Sequence, residues 1–177
     1  MKSMIEYVHD CIKDKKIDIA IDFTMGNGND TLFLSTLANM VYSFDIQEEA
    51  LVETKKRLGN AKNVHLILDS HENFDTYISS FDVGIFNLGY LPNGNHQITT
   101  TSNTTLRTLS KALDKLSLKG TIYIVVYIGH LQGKQESEEI EEYIKQLGHK
   151  DYNVASFKML NKKNAPYVIE IEKNSNK

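Results

Sequence analysis

At 177 residues, with 41% hydrophobic and 24% charged side chains, the chain has enough apolar material for one globular core spanning 1–177. Its apolar runs fall well short of a bilayer span, its first residues lack a signal-peptide pattern, and one cysteine, Cys11, excludes an internal disulfide and any multi-cysteine metal site. A formal net charge of -3 argues against broad, charge-driven nucleic-acid binding, so the expectation is a cytoplasmic protein without metal or membrane.

In chain order, residues 2–15 read as a helix and Ile17–Phe23 as a buried strand. The loop Asp22-Phe23-Thr24-Met25-Gly26-Asn27-Gly28-Asn29-Asp30 follows, and Asp30 is placed to cap a helix running through Leu32, Leu34 and Leu37. Met40–Phe44 is the second strand, ending at Asp45, and a helix over 47–58 stops at Gly59. Val64–Leu68 forms a third strand ending at Asp69, with a short helix near 72–79. Asp82–Phe86 is a fourth strand ending at Asn87. A helix over 101–117 carries Leu106, Leu109, Leu113 and Leu116 at helical spacing, and Gly120–Tyr127 is a β-branched central strand. A polar helix over 136–147 precedes two strands between Tyr152 and Glu172, joined at Asn161-Lys162-Lys163-Asn164.

Alternating strands and helices predict a parallel sheet covered on both faces, with a ligand bound at the carboxyl ends of the strands. Four such ends carry Asp22, Asp45, Asp69 and Asn87, with the glycine loop among them. Gly26 and Gly28 let the backbone turn sharply and a ligand approach. A dinucleotide loop would show G-x-G-x-x-G. Here Thr31 stands at the third glycine, and Asp30 would repel a pyrophosphate while suiting a cationic, amino-acid-bearing ligand such as S-adenosylmethionine. Asp45 follows Gly26 by 19 residues, close to the spacing at which an acid bonds ribose hydroxyls. Asp69 can then accept from an adenine amine, with His71 close by, and apolar Leu88, Tyr90 and Leu91 suit a ligand-facing wall.

Charge is uneven. From Lys145 onward seven lysines face three acids, whereas Asp69 to Thr100 holds acids and no Lys or Arg. A specific RNA substrate is therefore compatible with the net charge.

The segments Asp22–Leu34 (DFTMGNGNDTLFL), Asp69–Phe74 (DSHENF) and Asn87–Gly94 (NLGYLPNG) resemble a class I S-adenosylmethionine-dependent methyltransferase. Within it they are similar to the YtqB-like rRNA methylases, as are Thr99–Leu106, Tyr127–Glu136 and Asn161–Pro166. The resemblance implies a Rossmann-like α/β fold: a mostly parallel seven-stranded sheet, an antiparallel last strand and helices on both faces. It implies a homodimer that methylates the amine of 5-aminomethyl-2-thiouridine at tRNA position 34, the anticodon stem-loop being the partner. It implies cofactor contacts from Asp22, Thr24, Gly26, Asn27, Gly28, Asn29, Asp30, Asp45, Ile46, Gln47, Asp69, Ser70, His71 and Asn87. Asn87, Leu88, Tyr90 and His130 stand as catalytic candidates. Tyr90, Pro92, Thr99, Ser102, Tyr127, His130, Lys162 and Asn164 are the substrate-facing set. His71, His96 and His130 are the alternatives for taking up the proton. Ala165-Pro166 departs from the paired proline usual in the family. Competing readings are a nicotinamide-dependent oxidoreductase, a non-catalytic S-adenosylmethionine-binding regulator, and an rRNA or small-molecule amine methylase.

Overall fold

The computed structural model describes residues 2–88, 102–128 and 131–175. Helix α1 (Met4–Ile12) opens with a capping box in which Ser3 and Glu6 satisfy each other's backbone amides, and it buries Met4, Val8 and Ile12 along one face. Then come β1 (Ile17–Asp22), α2 (Asn29–Ser35), β2 (Ala38–Asp45), α3 (Glu48–Leu58), β3 (Val64–Leu68) and a short 3-10 helix (His71–Thr76). The chain continues with β4 (Phe81–Leu88), α4 (Ser102–Lys115), β5 (Leu116–Val126), α5 (Leu131–Lys145), β6 (Tyr152–Phe157) and β7 (Tyr167–Lys173).

The seven strands form one sheet in the order β3-β2-β1-β4-β5-β7-β6. Pairs from β3 across to β5 are parallel, and β7 runs antiparallel to both neighbours. Strand order reverses between β1 and β4, the switch point where such sheets bind ligands.

Side chains alternate across the sheet and feed two cores. Ile122 and Ile124 of β5 join Phe23, Phe74, Phe81, Phe86, Leu109 and Ile140 on one face. Tyr123 and Val125 join Met4, Val8, Ile12, Leu34 and Val41 on the other. Phe23 stacks flat on Phe86, ring centroids 4.1 Å apart, and meets Phe74 and Phe81 edge-on. These rings clamp the end of β1 to β4 directly beneath the switch point.

Four expectations need correction. Asp30 does not cap α2. Gly28 occupies that position, and no side chain caps the helix, because Asp30 lies one residue inside α2 and is drawn into other bonds. Leu116 reads as helix-face from its spacing but begins β5, which pairs with β4 from Phe81↔Leu116 onward across an irregularity where Lys119 takes φ 64°. The segment after β3 is the short 3-10 helix His71–Thr76 rather than a helix over 72–79. Helix α5 starts at Leu131, earlier than its polar run suggests.

Candidate active site

Phe23 N–H donates to the Ile85 carbonyl at 2.9 Å and Met25 N–H to that of Phe44 at 2.9 Å, so the glycine loop departs from β1 tied to both neighbouring strands. Gly26 and Gly28 take φ of 51° and 76°, values that favour glycine. A Cβ on Gly28 would fall 2.6 Å from both Cγ2 and Oγ1 of buried Thr54 in α3. Gly28 is thus required by packing of the loop on α3, not only by ligand approach.

Asp45, at the end of β2, grips this loop. One carboxylate oxygen accepts from Gly26 N–H and the other from Gln47 N–H, each at 3.0 Å. Arg57 donates to the Asn27 carbonyl at 2.7 Å from the far side. Asn29 is exposed at the start of α2. Ile46 is 52% exposed beside Asp45, and Leu68, at the end of β3, is 50% exposed. Asp69 accepts from Ser70 N–H, Asn73 Nδ2 and the Tyr77 hydroxyl, between 2.7 and 3.0 Å. The Asn73 bond, foremost, holds its carboxyl below the ordinary value. Ser70 in turn caps the 3-10 helix by accepting from Glu72 N–H.

His71 is buried. Its Nδ1 lies 2.8 Å from the Phe23 carbonyl, which can only accept, so Nδ1 carries the proton. Burial pushes its pKa down, which keeps the ring neutral and leaves Nε2 a bare acceptor. Among the described residues, His71 Nε2 and Gln47 Oε1 are the buried side-chain atoms without a hydrogen-bond partner.

The other half of the site is built around two buried carboxylates. Asp22 is fully buried; it accepts from Thr24 N–H at 3.1 Å and from the Thr31 hydroxyl at 2.6 Å, and Thr31 also meets Ser43 at 2.7 Å. Burial, then the charge of Asp30, pushes its pKa from 3.8 up to about 7. Asp30 is 4% exposed. Its Oδ1 lies 2.8 Å from His9 Nε2, and its Oδ2 accepts from Asn87 Nδ2 at 3.1 Å. Asn87 N–H donates to the Thr24 hydroxyl at 2.8 Å, while Leu88 packs against the core. Tyr127, just after β5, has its pKa raised by burial and then by the charge of Asp30.

Lys162 and Asn164 are exposed, and Asn164 takes a left-handed φ of 58° suited to the turn it forms. Because Val126 pairs with Tyr167 and Phe157 with Val168, the segment between β6 and β7 lies at the same carboxyl edge as the site. Tyr90, Pro92, His96, Thr99 and His130 fall outside the described residues, as does the side chain of Ser102.

Sequence reading missed three contributors. His9 lies beside the buried stripe of α1 with no local sign of its partner 21 residues away. Thr31 entered only as a missing glycine, yet it binds the Asp22 carboxylate. Thr54 drew no notice within the helix over 47–58, yet it sets the size limit at Gly28.

The described part of the site therefore offers acceptors and negative charge: Asp45, Gln47 Oε1 and His71 Nε2 on one side, Asp22 and Asp30 on the other. It suits a ligand rich in hydrogen-bond donors and positive charge, and it opposes phosphate.

Comparison with known proteins agrees with this chemistry. A family model described as "Putative rRNA methylase" matches residues 41–172. The "tRNA (mnm(5)s(2)U34)-methyltransferase, chloroplastic" of Arabidopsis thaliana is 36% identical over 179 residues, covering 92% of this chain. The chain spans 65% of that relative's length. A Clostridium thermocellum structure bearing the family's description superposes with a TM-score of 0.93 at 39% identity, over 98% of each chain. A "putative methyltransferase" of Streptococcus mutans, in complex with SAH, superposes with a TM-score of 0.90 at 41% identity, over 98% of this chain and 99% of its own.

Proposed function

This chain belongs to the rRNA methylase family, and from that premise we propose that it is an S-adenosylmethionine-dependent N-methyltransferase that converts 5-aminomethyl-2-thiouridine to 5-methylaminomethyl-2-thiouridine at tRNA position 34. The observation that carries the cofactor reading is the unsatisfied acceptor set. Buried Gln47 Oε1 and His71 Nε2 have no donor among the described residues, and the two buried carboxylates of Asp22 and Asp30 favour a cation beside them. S-adenosylmethionine brings ribose hydroxyls, an adenine amine, an ammonium and a sulfonium, and no phosphate. A nicotinamide dinucleotide would bring its pyrophosphate against two buried carboxylates, which opposes the oxidoreductase reading.

Asp45 and Gln47 would hold the ribose, with Ile46 and Leu68 offering apolar surface to the adenine and His71 an acceptor. Asp69 would act through the turn it braces. The glycine loop with Asp22, Thr24, Asn29 and Asp30 would hold the methionine end. When bound, the cofactor supplies a methyl group already activated on sulfur. The protein's part is alignment: an amine held in line with that methyl gains most of the rate that orientation provides. Asn87 and Leu88, with acceptor oxygens at the switch point, orient the neutral amine. Tyr127 offers a ring on which the uracil can stack. Lys162 and Asn164 face the RNA from the last loop, and the family resemblance supports action as a homodimer.

The substrate reading rests on the named activity of the Arabidopsis relative together with the lysine-rich loop at the site edge. Incubation with S-adenosylmethionine and tRNA carrying 5-aminomethyl-2-thiouridine, followed by nucleoside mass analysis, tests it. A gain of one methyl on that base is expected. Methylation of an rRNA fragment or a free amine instead would move the substrate class. Binding of S-adenosylmethionine without transfer to any acceptor would leave a regulator.

A further inference from the structure

We infer that His9 is a positioning residue for this reaction, acting through Asp30 to fix which end of the Asn87 amide is turned toward the methyl acceptor; the inference rests on the methyltransferase reading above. Asn87 Nδ2 donates to Asp30 Oδ2 at 3.1 Å. With the amide nitrogen donating to this carboxylate oxygen, Asn87 Oδ1 points the other way. An amine brings N–H groups and is oriented by an acceptor, whereas a flipped amide would set N–H against N–H. The direction of this one side chain thus favours an amine over an acceptor lacking N–H.

Asp30 can impose that direction only while it is itself held. It is almost fully buried in the first turn of α2, and its second oxygen lies 2.8 Å from His9 Nε2. The His9 ring cannot swing freely, since it stacks on Phe33 with centroids 3.7 Å apart and planes 7° from parallel. Its helix is anchored by the Ser3–Glu6 capping box and by Met4, Val8 and Ile12. Without His9, the Asp30 carboxylate keeps one buried oxygen unpaired and gains reason to turn away from Asn87. The other ionisable groups acting on this cluster are Asp22 and Tyr127, and among the described residues the hydrogen-bond partners of Asp30 are His9 and Asn87, not these two. Helix α1, which carries none of the ligand-binding loops, therefore reaches the reacting end of the site.

Two substitutions separate the bond from the packing. His9→Phe keeps the stack on Phe33 and removes the ring nitrogen; His9→Gln loses the ring and keeps an N–H that can reach Asp30. With S-adenosylmethionine and tRNA bearing the aminomethyl base, His9→Phe should lower kcat by about tenfold while KM for tRNA and Kd for S-adenosylmethionine stay within about twofold. His9→Gln should restore kcat to within about threefold of the parent. Full kcat in His9→Phe, or a His9→Gln enzyme as slow as His9→Phe, overturns the assignment. Asp30→Asn guards against a His9 variant that does not fold, because it removes the obligatory acceptor; it too should lose kcat, and full kcat there overturns the assignment as well. If the parent protein methylates no amine-bearing RNA, the functional reading falls separately. The positioning role is then judged by hydrogen exchange of the Asn87 side-chain amide in nitrogen-15 spectra. Faster exchange in His9→Phe than in the parent supports it, and equal exchange overturns it.

Discussion

The two halves of the site are built by opposite means. On the side of β2 and β3, many of the holding bonds come from sequence neighbours: Asp45 is held by Gln47 N–H, Asp69 by Ser70 and Asn73, and the 3-10 turn by Ser70, with Gly26 N–H and the Phe23 carbonyl as the longer-range partners of Asp45 and His71. On the side of β1 and β4, side chains from positions 9 and 87 converge on one buried carboxylate, that of Asp30. The first half is rigid because its loops are short and internally bonded, and it keeps two buried acceptors, Gln47 Oε1 and His71 Nε2, without a partner among the described residues. The second half is rigid only because the sheet and two helices press distant groups together. A local change should therefore disable the first half cleanly, while a change in the second should spread through stability, pH response and rate.

The largest effect belongs to the local half. Asp45→Ala removes the acceptor of Gly26 and Gln47 and the proposed ribose partner together. Affinity for S-adenosylmethionine should fall about 100-fold or more by calorimetry, while circular dichroism shows the fold intact. Unchanged affinity would place the ribose elsewhere. Gly28→Ala tests whether the loop is set by packing: strain at φ 76° and the collision with Thr54 should cost about 2–3 kcal/mol in urea unfolding. A fully stable variant would mean that α3 yields.

Asp22→Asn addresses the convergent half. The folded pKa of Asp22 is raised from 3.8 to about 7, so the folded chain holds a proton that the unfolded chain has released. Its contribution to stability is present below pH about 4 and is lost as pH rises through about 7. Melting temperatures across that window should fall less steeply in Asp22→Asn than in the parent. For the same reason, a cation bound beside Asp22 should bind more tightly at pH 8 than at pH 6. The smallest effect is expected at the last loop. Lys162→Ala with Lys163→Ala should weaken tRNA binding several-fold and reduce its logarithmic salt slope by about 1–2 units. Lys158 is left intact in that pair, because it already binds Glu141 and covers the Tyr167 ring.

Most strands and helices were legible because their cause is local. Apolar runs such as Ile17–Ile21 and Gly120–Val126 declare buried strands, and Gly59 and Asn164 mark turns where left-handed backbone is needed. Helix spacing misplaced Leu116, since a leucine at i+3 from a helix face packs into the same core from the start of a strand. Asp30 misled for a related reason: an aspartate ahead of a helix is the usual sign of a cap, and nothing nearby in the chain shows a histidine waiting 21 residues upstream.

By itself, the amino-acid sequence determined the alternation of strand and helix, the loop with its two glycines, and the polar residues that end the first four strands. Each depends on backbone preference or on periodicity within a few residues. Only the tertiary structure decided that Asp22 is buried beside Asp30, that His9 and Asn87 share one carboxylate, and that β7 brings Lys162 and Asn164 back to the site edge. Those arrangements arise when sheet closure desolvates groups far apart in the chain, and the strength of a buried charge or hydrogen bond depends on that desolvation.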